Sequence, residues 1–119
     1  MRKGAIDYAP LRRKADLHLV RLVLEQFERG NHEVYLTFDK AHPGVTIPRG
    51  VMALPGPHIC AVLHRVVADL LVTETQVSAT LKFQGVPSRW VIPFDALTLF
   101  YDCRTPVRME FESQVNAAP

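Results

Sequence analysis

The sequence has no strong excess of charge, no long apolar run and few cysteines, and each absence excludes a class of protein. Its 14 basic and 12 acidic residues leave a net charge of +2, too small to favour nucleic acid or a membrane surface through bulk electrostatics. No apolar run approaches the roughly 20 residues that cross a bilayer. The charged N-terminal segment is also unlike a signal peptide. The sequence therefore favours a cytoplasmic protein.

Residues that could carry out chemistry are also sparse. Cys60 and Cys103 are far apart and form no CxxC motif, and the five histidines have no metal-ligand spacing. The sequence contains no glycine-rich phosphate loop and no nucleophile motif. Asp39, Asp69 and Asp95 lie where strands are predicted to meet turns, so solvated carboxylates explain them better than an acid–base set. We therefore predict a protein that is not an enzyme, with no metal and no cofactor.

With 119 residues and 48% apolar content, the chain is expected to form a single domain, residues 1–119. Apolar residues recur at three- and four-residue spacing between residues 10 and 29, and Gly30 follows as a stop signal. A helix over residues 10–29 is therefore predicted. Leu19, Leu22 and Val23 widen its apolar arc, which favours packing on a partner as well as on the helix's own domain. We predict a homodimer whose interface includes the regularly spaced helix residues Leu17, Val20, Leu24 and Phe27.

After the helix, short alternating segments bounded by turn residues predict β-strands. The predicted strands cover residues 34–39, 45–48, 58–63, 69–72, 77–84, 89–92, 99–101 and 107–111, with a single helical turn at 94–97. In the 77–84 segment, alternation directs Val77, Ala79, Leu81 and Phe83 inward and Ser78, Thr80, Lys82 and Gln84 outward. The fold predicted for residues 33–112 is mainly β, a small barrel or sandwich of about seven strands.

Without a catalytic set of residues, the sequence favours a binding function. Small β domains bind ligands at an exposed sheet edge, which accepts a peptide strand, or on an aromatic and basic face, which stacks nucleic-acid bases. The outward residues of the 77–84 segment include no aromatic ring, so peptide binding is favoured. Arg65 and Lys82 are candidates to pair with peptide carboxylates. An Sm-like RNA-binding barrel is the alternative, supported by the architecture and a pI near 8.7.

Four segments occur in an order that resembles the SspB family, the bacterial adaptors that deliver ssrA-tagged proteins to the ClpXP protease. These segments are HEVYLTFDKAHPGVTIP, HICAVLHRVVADLLV, VSATLKFQGVPSRWVIPFDALTLFY and VRMEFE, and the resemblance covers residues 17–112. It implies an Sm-like β-barrel with an N-terminal helix, dimerisation through that helix, and a groove that binds an extended tag peptide. It also implies ClpX as a partner and no cofactor.

The resemblance also implies which residues line the tag groove. Carried over by position, these are Arg65 and Val66 on one strand and Leu81 and Lys82 on the following long strand. Family members usually continue into an acidic tail with a motif that docks on ClpX. The residues after Gln114, VNAAP, contain neither feature, so the resemblance supports tag recognition better than delivery.

Overall fold

The structure, a computed structural model, describes residues 4–27, 33–64, 67–105 and 107–115. Helix α1 spans Tyr8–Glu25 and follows Asp7, whose side chain accepts a hydrogen bond from the Ala9 N–H at 3.2 Å. The helix begins two residues before the predicted start because Pro10 is tolerated in a first turn, where its missing N–H leaves no intrahelical bond unmade. It ends at Glu25, and the predicted stop at Gly30 lies outside the described residues.

The described residues contain seven strands, which match seven of the eight predicted segments. They are β1 (Glu33–Asp39), β2 (His58–His64), β3 (Ala68–Val72), β4 (Gln76–Phe83), β5 (Val86–Pro93), β6 (Leu97–Asp102) and β7 (Val107–Glu110). A short helix α2 (Arg49–Met52) lies between β1 and β2, and a 3₁₀ turn (Phe94–Ala96) joins β5 to β6. The predicted strand at 45–48 is wrong, because this segment makes only a single bridge between Thr46 and Val91.

The strands form two antiparallel sheets, with the orders β2-β1-β6-β7 and β3-β4-β5. Gln84 and Gly85, both with positive φ, make the two-residue turn between β4 and β5. No strand pairing within the described residues joins the two sheets, so they do not close into a barrel. The predicted mainly β fold with an N-terminal helix is confirmed, in an open two-sheet form, and the Sm-like topology stays a prediction.

Helix α1 packs on a hydrophobic core that both sheets share. Val20, Leu24 and Phe27 are at most 1% exposed, and Leu17 packs against the same core at its margin. Burying a side chain of this kind contributes roughly 1.5–3 kcal/mol to folding. The predicted placement of Val20, Leu24 and Phe27 in a dimer interface is therefore wrong, because the chain's own core covers them, and the partly buried Leu17 belongs to the same face. Dimerisation itself stays a prediction.

The His-Pro-Gly turn before Val45 connects α1 to the end of β5. His42 Nδ1 accepts a hydrogen bond from the Gly44 N–H at 3.0 Å, while its Nε2 lies 3.3 Å from Asp95 Oδ2. Arg13 of α1 reaches the same carboxylate at 3.1 Å. Gly44 lies so close to Pro93 that a Cβ would be 2.7 Å from the proline Cγ. The His-Pro-Gly turn therefore has a packing role.

Candidate functional site

A groove of about 760 Å³ opens between β2 and the end of β4. Its volume lies within the roughly 300–1,000 Å³ typical of ligand pockets. Apolar side chains make up most of its lining, including Val51, Leu54, Ile59, Val67, Phe83 and Trp90. His64, Thr80 and Lys82 add polar groups to its walls. The groove is therefore an apolar channel with a few polar groups along it.

Among the strands that the structure describes, β2 pairs only with β1. Its other edge has no described partner, and we call it free; it forms one wall of the groove. The Lys40 N–H donates to the Pro57 carbonyl at 3.1 Å just before the paired segment. In antiparallel pairs, hydrogen-bonded and non-hydrogen-bonded residue pairs alternate. Counting along the register from that bond, the β2 residues whose backbone groups point away from β1 are His58, Cys60, Val62 and His64. These four residues offer N–H and C=O groups to a strand lying beside β2.

The end of β4 lies opposite and is free in the same sense, since its described residues have no described partner on one side. Strand β5 pairs with β4 as far as Phe83, whereas the described pairing of β3 with β4 extends only to Ala68 and Thr80. Leu81, Lys82 and Phe83 therefore have no described strand on that side, and their side chains line the groove. Leu81 and Phe83 are half-buried and Lys82 is exposed. The groove thus runs between two strand edges whose backbone has no partner among the described residues.

Helix α2 lies against one side of the groove. Val51 is buried and contributes to the lining, and Gly50 packs on the ring of Phe83 so closely that a Cβ would be 2.9 Å from Cε2. The Lys40 ammonium donates to the Leu54 carbonyl and holds the loop that follows α2. The position of Phe83 in the groove therefore depends on the absence of a side chain at residue 50.

Two histidine–carboxylate pairs fasten β2 to β1, one at each end. His58 Nε2 lies 3.0 Å from Asp39 Oδ1, and His64 Nδ1 lies 3.2 Å from Glu33 Oε1. Asp39 is 5% exposed and also accepts a hydrogen bond from the Ser113 hydroxyl at 2.6 Å. The interpretation of Asp39 as a solvated carboxylate is therefore wrong. The Asp39 carboxylate thus joins His58 of β2 to Ser113, which follows β7, and helps to hold β2 in place beside the groove.

The structure brings two of the four predicted site residues to this groove. Leu81 and Lys82 line it, and Lys82 makes no ion pair with a described carboxylate. Arg65 and Val66 lie outside the described residues. Their neighbours in the chain, His64 and Val67, both line the groove. Sequence reasoning missed the contribution of Cys60 and Val62, because alternation predicts a strand without showing that it is a sheet edge.

A second cavity, of about 500 Å³, lies between the first turns of α1 and the segment after β7. Arg12 and Arg13 line it together with the carboxylates of Asp16, Glu110 and Glu112. Charges of both signs around one opening favour neither an anion nor a cation. The cavity touches the edge strand β7 only at its last residue, Glu110, whereas residues along most of β2 line the groove. The groove is therefore the stronger candidate site.

The outer face of the four-stranded sheet carries an aromatic pair that could suit the RNA-binding alternative. Tyr35 and Tyr101 meet edge to face, with ring centroids 6.1 Å apart. Arg108, opposite Tyr101 in the register, is engaged by Glu110 at 2.9 Å. The negative charge of the Cys103 thiolate, followed by that of Glu33, raises the pKa of the Tyr35 phenol. Glu33 places a negative charge near this pair and Arg108 is already ion-paired, so the face does not match a basic stacking surface.

These features define a small two-sheet β domain with an N-terminal helix and an open groove between free strand edges. Residues 10–119 match the family model described as Stringent starvation protein B. The match spans most of the chain, which therefore belongs to the SspB family. This is a family of protease adaptors, so membership supports an SspB-like adaptor role, with substrates and a protease as partners. No curated protein matches the chain.

The described helices also bear on membrane association. None of them is both long and apolar enough to cross a bilayer.

Proposed function

We propose that this protein binds ssrA-type degradation tags in its groove and enhances their delivery to the ClpXP protease. The observation that carries the proposal is the pair of free strand edges, β2 and the end of β4, in a chain of the SspB family. An extended peptide that joins a sheet edge gains main-chain hydrogen bonds, while pockets for alternate side chains give specificity. A degradation tag is an extended peptide, and the groove offers both elements.

The tag lies beside β2 as an added strand in this proposal. The N–H and C=O groups of the four β2 residues that point away from β1 form hydrogen bonds with the main chain of the tag. Apolar side chains of the tag pack on Leu81, Phe83 and Trp90. Trp90 is 6% exposed and Phe83 is half-buried, so these rings give the groove a firm apolar floor. Lys82 pairs with a tag carboxylate at the exposed wall. Arg65 and Val66, between His64 and Val67, complete the proposed site.

The proposed homodimer uses the outward face of α1. Apolar side chains left exposed by the chain's own core lie along one stripe of the helix, because gaps of three and eight residues return to the same face: Tyr8, Leu11, Leu19 and Leu22. An apolar helix stripe open to water is a surface that a second copy can cover. No described residue of α1 lines the groove, so a dimer joined through this face leaves both grooves open.

Fluorescence anisotropy with a labelled ssrA peptide tests tag recognition. We expect saturable binding that an unlabelled ssrA peptide competes away, and no competition from the same residues in scrambled order. Absence of saturable binding at tens of micromolar would remove the proposal.

Delivery is tested separately, by the degradation of an ssrA-tagged reporter by ClpXP with and without this protein. Faster degradation at subsaturating reporter supports delivery, whereas tag binding with unchanged degradation restricts the function to recognition. Single-stranded RNA in the same anisotropy assay covers the alternative. Tight RNA binding that weakens steeply with salt, without tag binding, would replace the proposal.

A further inference from the structure

The pairing between β3 and β4 contains a bulge next to the groove. Ala68 pairs with Thr80, but the next paired residue on β3 is Leu71, which faces Ser78, so the register shifts between them. Asp69, inside this bulge, has a φ of 54°, in the left-handed region that most residues with a side chain avoid. Such a conformation persists where surrounding contacts hold it.

Arg89 of β5 supplies two of these contacts. Its Nη2 donates to the Ser78 hydroxyl at 2.7 Å, and its Nη1 donates to the backbone carbonyl of Asp69. The Thr80 hydroxyl donates to Asp69 Oδ2 at 3.2 Å. Arg89 therefore reaches across β4 and links the middle of that strand to the bulge on β3. The planar guanidinium is suited to this task because it offers separate donors in a fixed geometry.

The bulge determines the shape of the groove wall. Val67 and Ala68, immediately before Asp69, line the groove, as does Thr80 on β4. The described ladder between β3 and β4 begins at Ala68, so none of the residues that the structure describes pairs with β4 on that side from Leu81 onward. A displaced bulge would move this wall and change how much of the β4 edge is open.

We infer that Arg89, which does not line the groove, is a positioning residue for peptide binding and acts by holding the Asp69 bulge. This inference rests on the proposed function. The guanidinium fixes the wall formed by Val67 and Ala68 in the shape that accepts an extended peptide. Its loss lowers affinity without removing any group that touches the peptide.

Two substitutions separate positioning from charge. Arg89→Ala removes both bonds, whereas Arg89→Lys keeps the positive charge but replaces the two-nitrogen fork with a single ammonium group. We expect both variants to raise the Kd for the ssrA peptide by about 5- to 10-fold, because a charge-assisted bond that shapes the site is lost in each. Arg108→Ala removes another exposed arginine, which is on β7 and is paired with Glu110, and should leave the Kd within about twofold of wild type.

Hydrogen exchange provides the second measurement, at a temperature where circular dichroism shows every variant to be folded. Faster exchange of the amides of Asp69, Leu70 and Leu71 in the Arg89 variants, with unchanged exchange in β6, would place the effect in the bulge. Should Arg89→Ala fail to fold, Arg89→Lys and Ser78→Ala carry the test.

Three results would overturn the inference. Wild-type affinity in Arg89→Lys would show that charge alone matters, and wild-type affinity in both Arg89 variants would exclude any role for this residue. Weaker binding without faster exchange in the bulge would mean that Arg89 acts by another route. In each case the proposed function stands if the wild-type protein binds the tag. Absence of tag binding by the wild-type protein would remove both proposals.

Discussion

Substitution of Gly50 by alanine tests whether the ring of Phe83 shapes the groove. The new Cβ would lie 2.9 Å from Phe83 Cε2, about 0.5 Å closer than the 3.4 Å at which ordinary contacts begin. The ring has to move by about that amount. It borders open space on the groove side, where displacement meets the least resistance. Gly50→Ala should therefore push Phe83 into the volume that the peptide occupies.

The effects on stability and on affinity can be separated. Alanine in place of glycine favours a helix by about 1 kcal/mol, and overpacking costs about 1–3 kcal/mol. The net change in the free energy of unfolding should therefore lie between about zero and a 2 kcal/mol loss, so the variant should fold. The gain in helix propensity does not offset the loss of peptide affinity. We expect the Kd for the ssrA peptide to rise by about fivefold or more, equivalent to about 1 kcal/mol.

The assay is peptide anisotropy together with urea unfolding of the same samples. Met52→Ala is the matched control, because Met52 is an exposed α2 residue that does not line the groove. In a Phe83→Leu background the smaller side chain leaves room for the new methyl group, so Gly50→Ala should then change affinity little. An unchanged Kd for Gly50→Ala in the wild-type background would refute the role given to Phe83.

Three further predictions concern other parts of the chain. Lys82→Glu should raise the Kd for the tag about fivefold through charge reversal at a partly exposed site, whereas Lys14→Glu on α1 should not. Leu22→Glu should convert a dimer into a folded monomer in light scattering, whereas Leu24→Glu should unfold the chain because it buries a carboxylate in the core. Gly44→Ala should lower the free energy of unfolding by about 1–3 kcal/mol in urea titration, since its methyl group meets the neighbouring proline ring.

Local patterns predicted the helix and most strands to within a few residues, because side-chain periodicity follows directly from backbone geometry. The hairpin of β4 and β5 shows this best, since alternation ends at Gln84 and Gly85, where the turn lies. Segment 45–48 misled the prediction because a β-branched run between prolines resembles a strand. In the structure this segment makes a single bridge, from Thr46 to Val91, and no strand.

Long-range packing accounts for what the sequence did not reveal. Helix α1 has two apolar arcs, and its sequence does not show which one the chain's own sheets cover. The core takes Val20 and Leu24, which leaves Leu19 and Leu22 exposed. Ser78 is a similar case: alternation directs it outward, yet it is 5% exposed and its hydroxyl accepts a bond from the guanidinium of Arg89. Pairings of this kind join residues far apart in sequence, so periodicity cannot show them.

The candidate site was predictable only in part, for the same reason. The resemblance predicted Leu81 and Lys82 as groove residues, and both line the groove. The physical property that favours peptide binding there is backbone without a described partner. Which strands lie at an edge, and where a ladder stops, depends on the order of strands in the sheets. The free edge of β2 and the early end of β3 pairing therefore became visible only in the structure.

Free strand edges also explain why a binding partner is expected at this groove. A seven-residue edge such as β2 is a template for unwanted pairing unless a protein covers, shortens or charges it. Here the strand carries no Asp, Glu, Lys or Arg, and the histidines at its two ends, His58 and His64, are both paired to β1. The middle of the edge presents Cys60 and Val62, with no charge to repel an added strand. A peptide in the groove would satisfy these backbone groups, so the proposed tag-binding site coincides with a sheet edge that lacks charged protection.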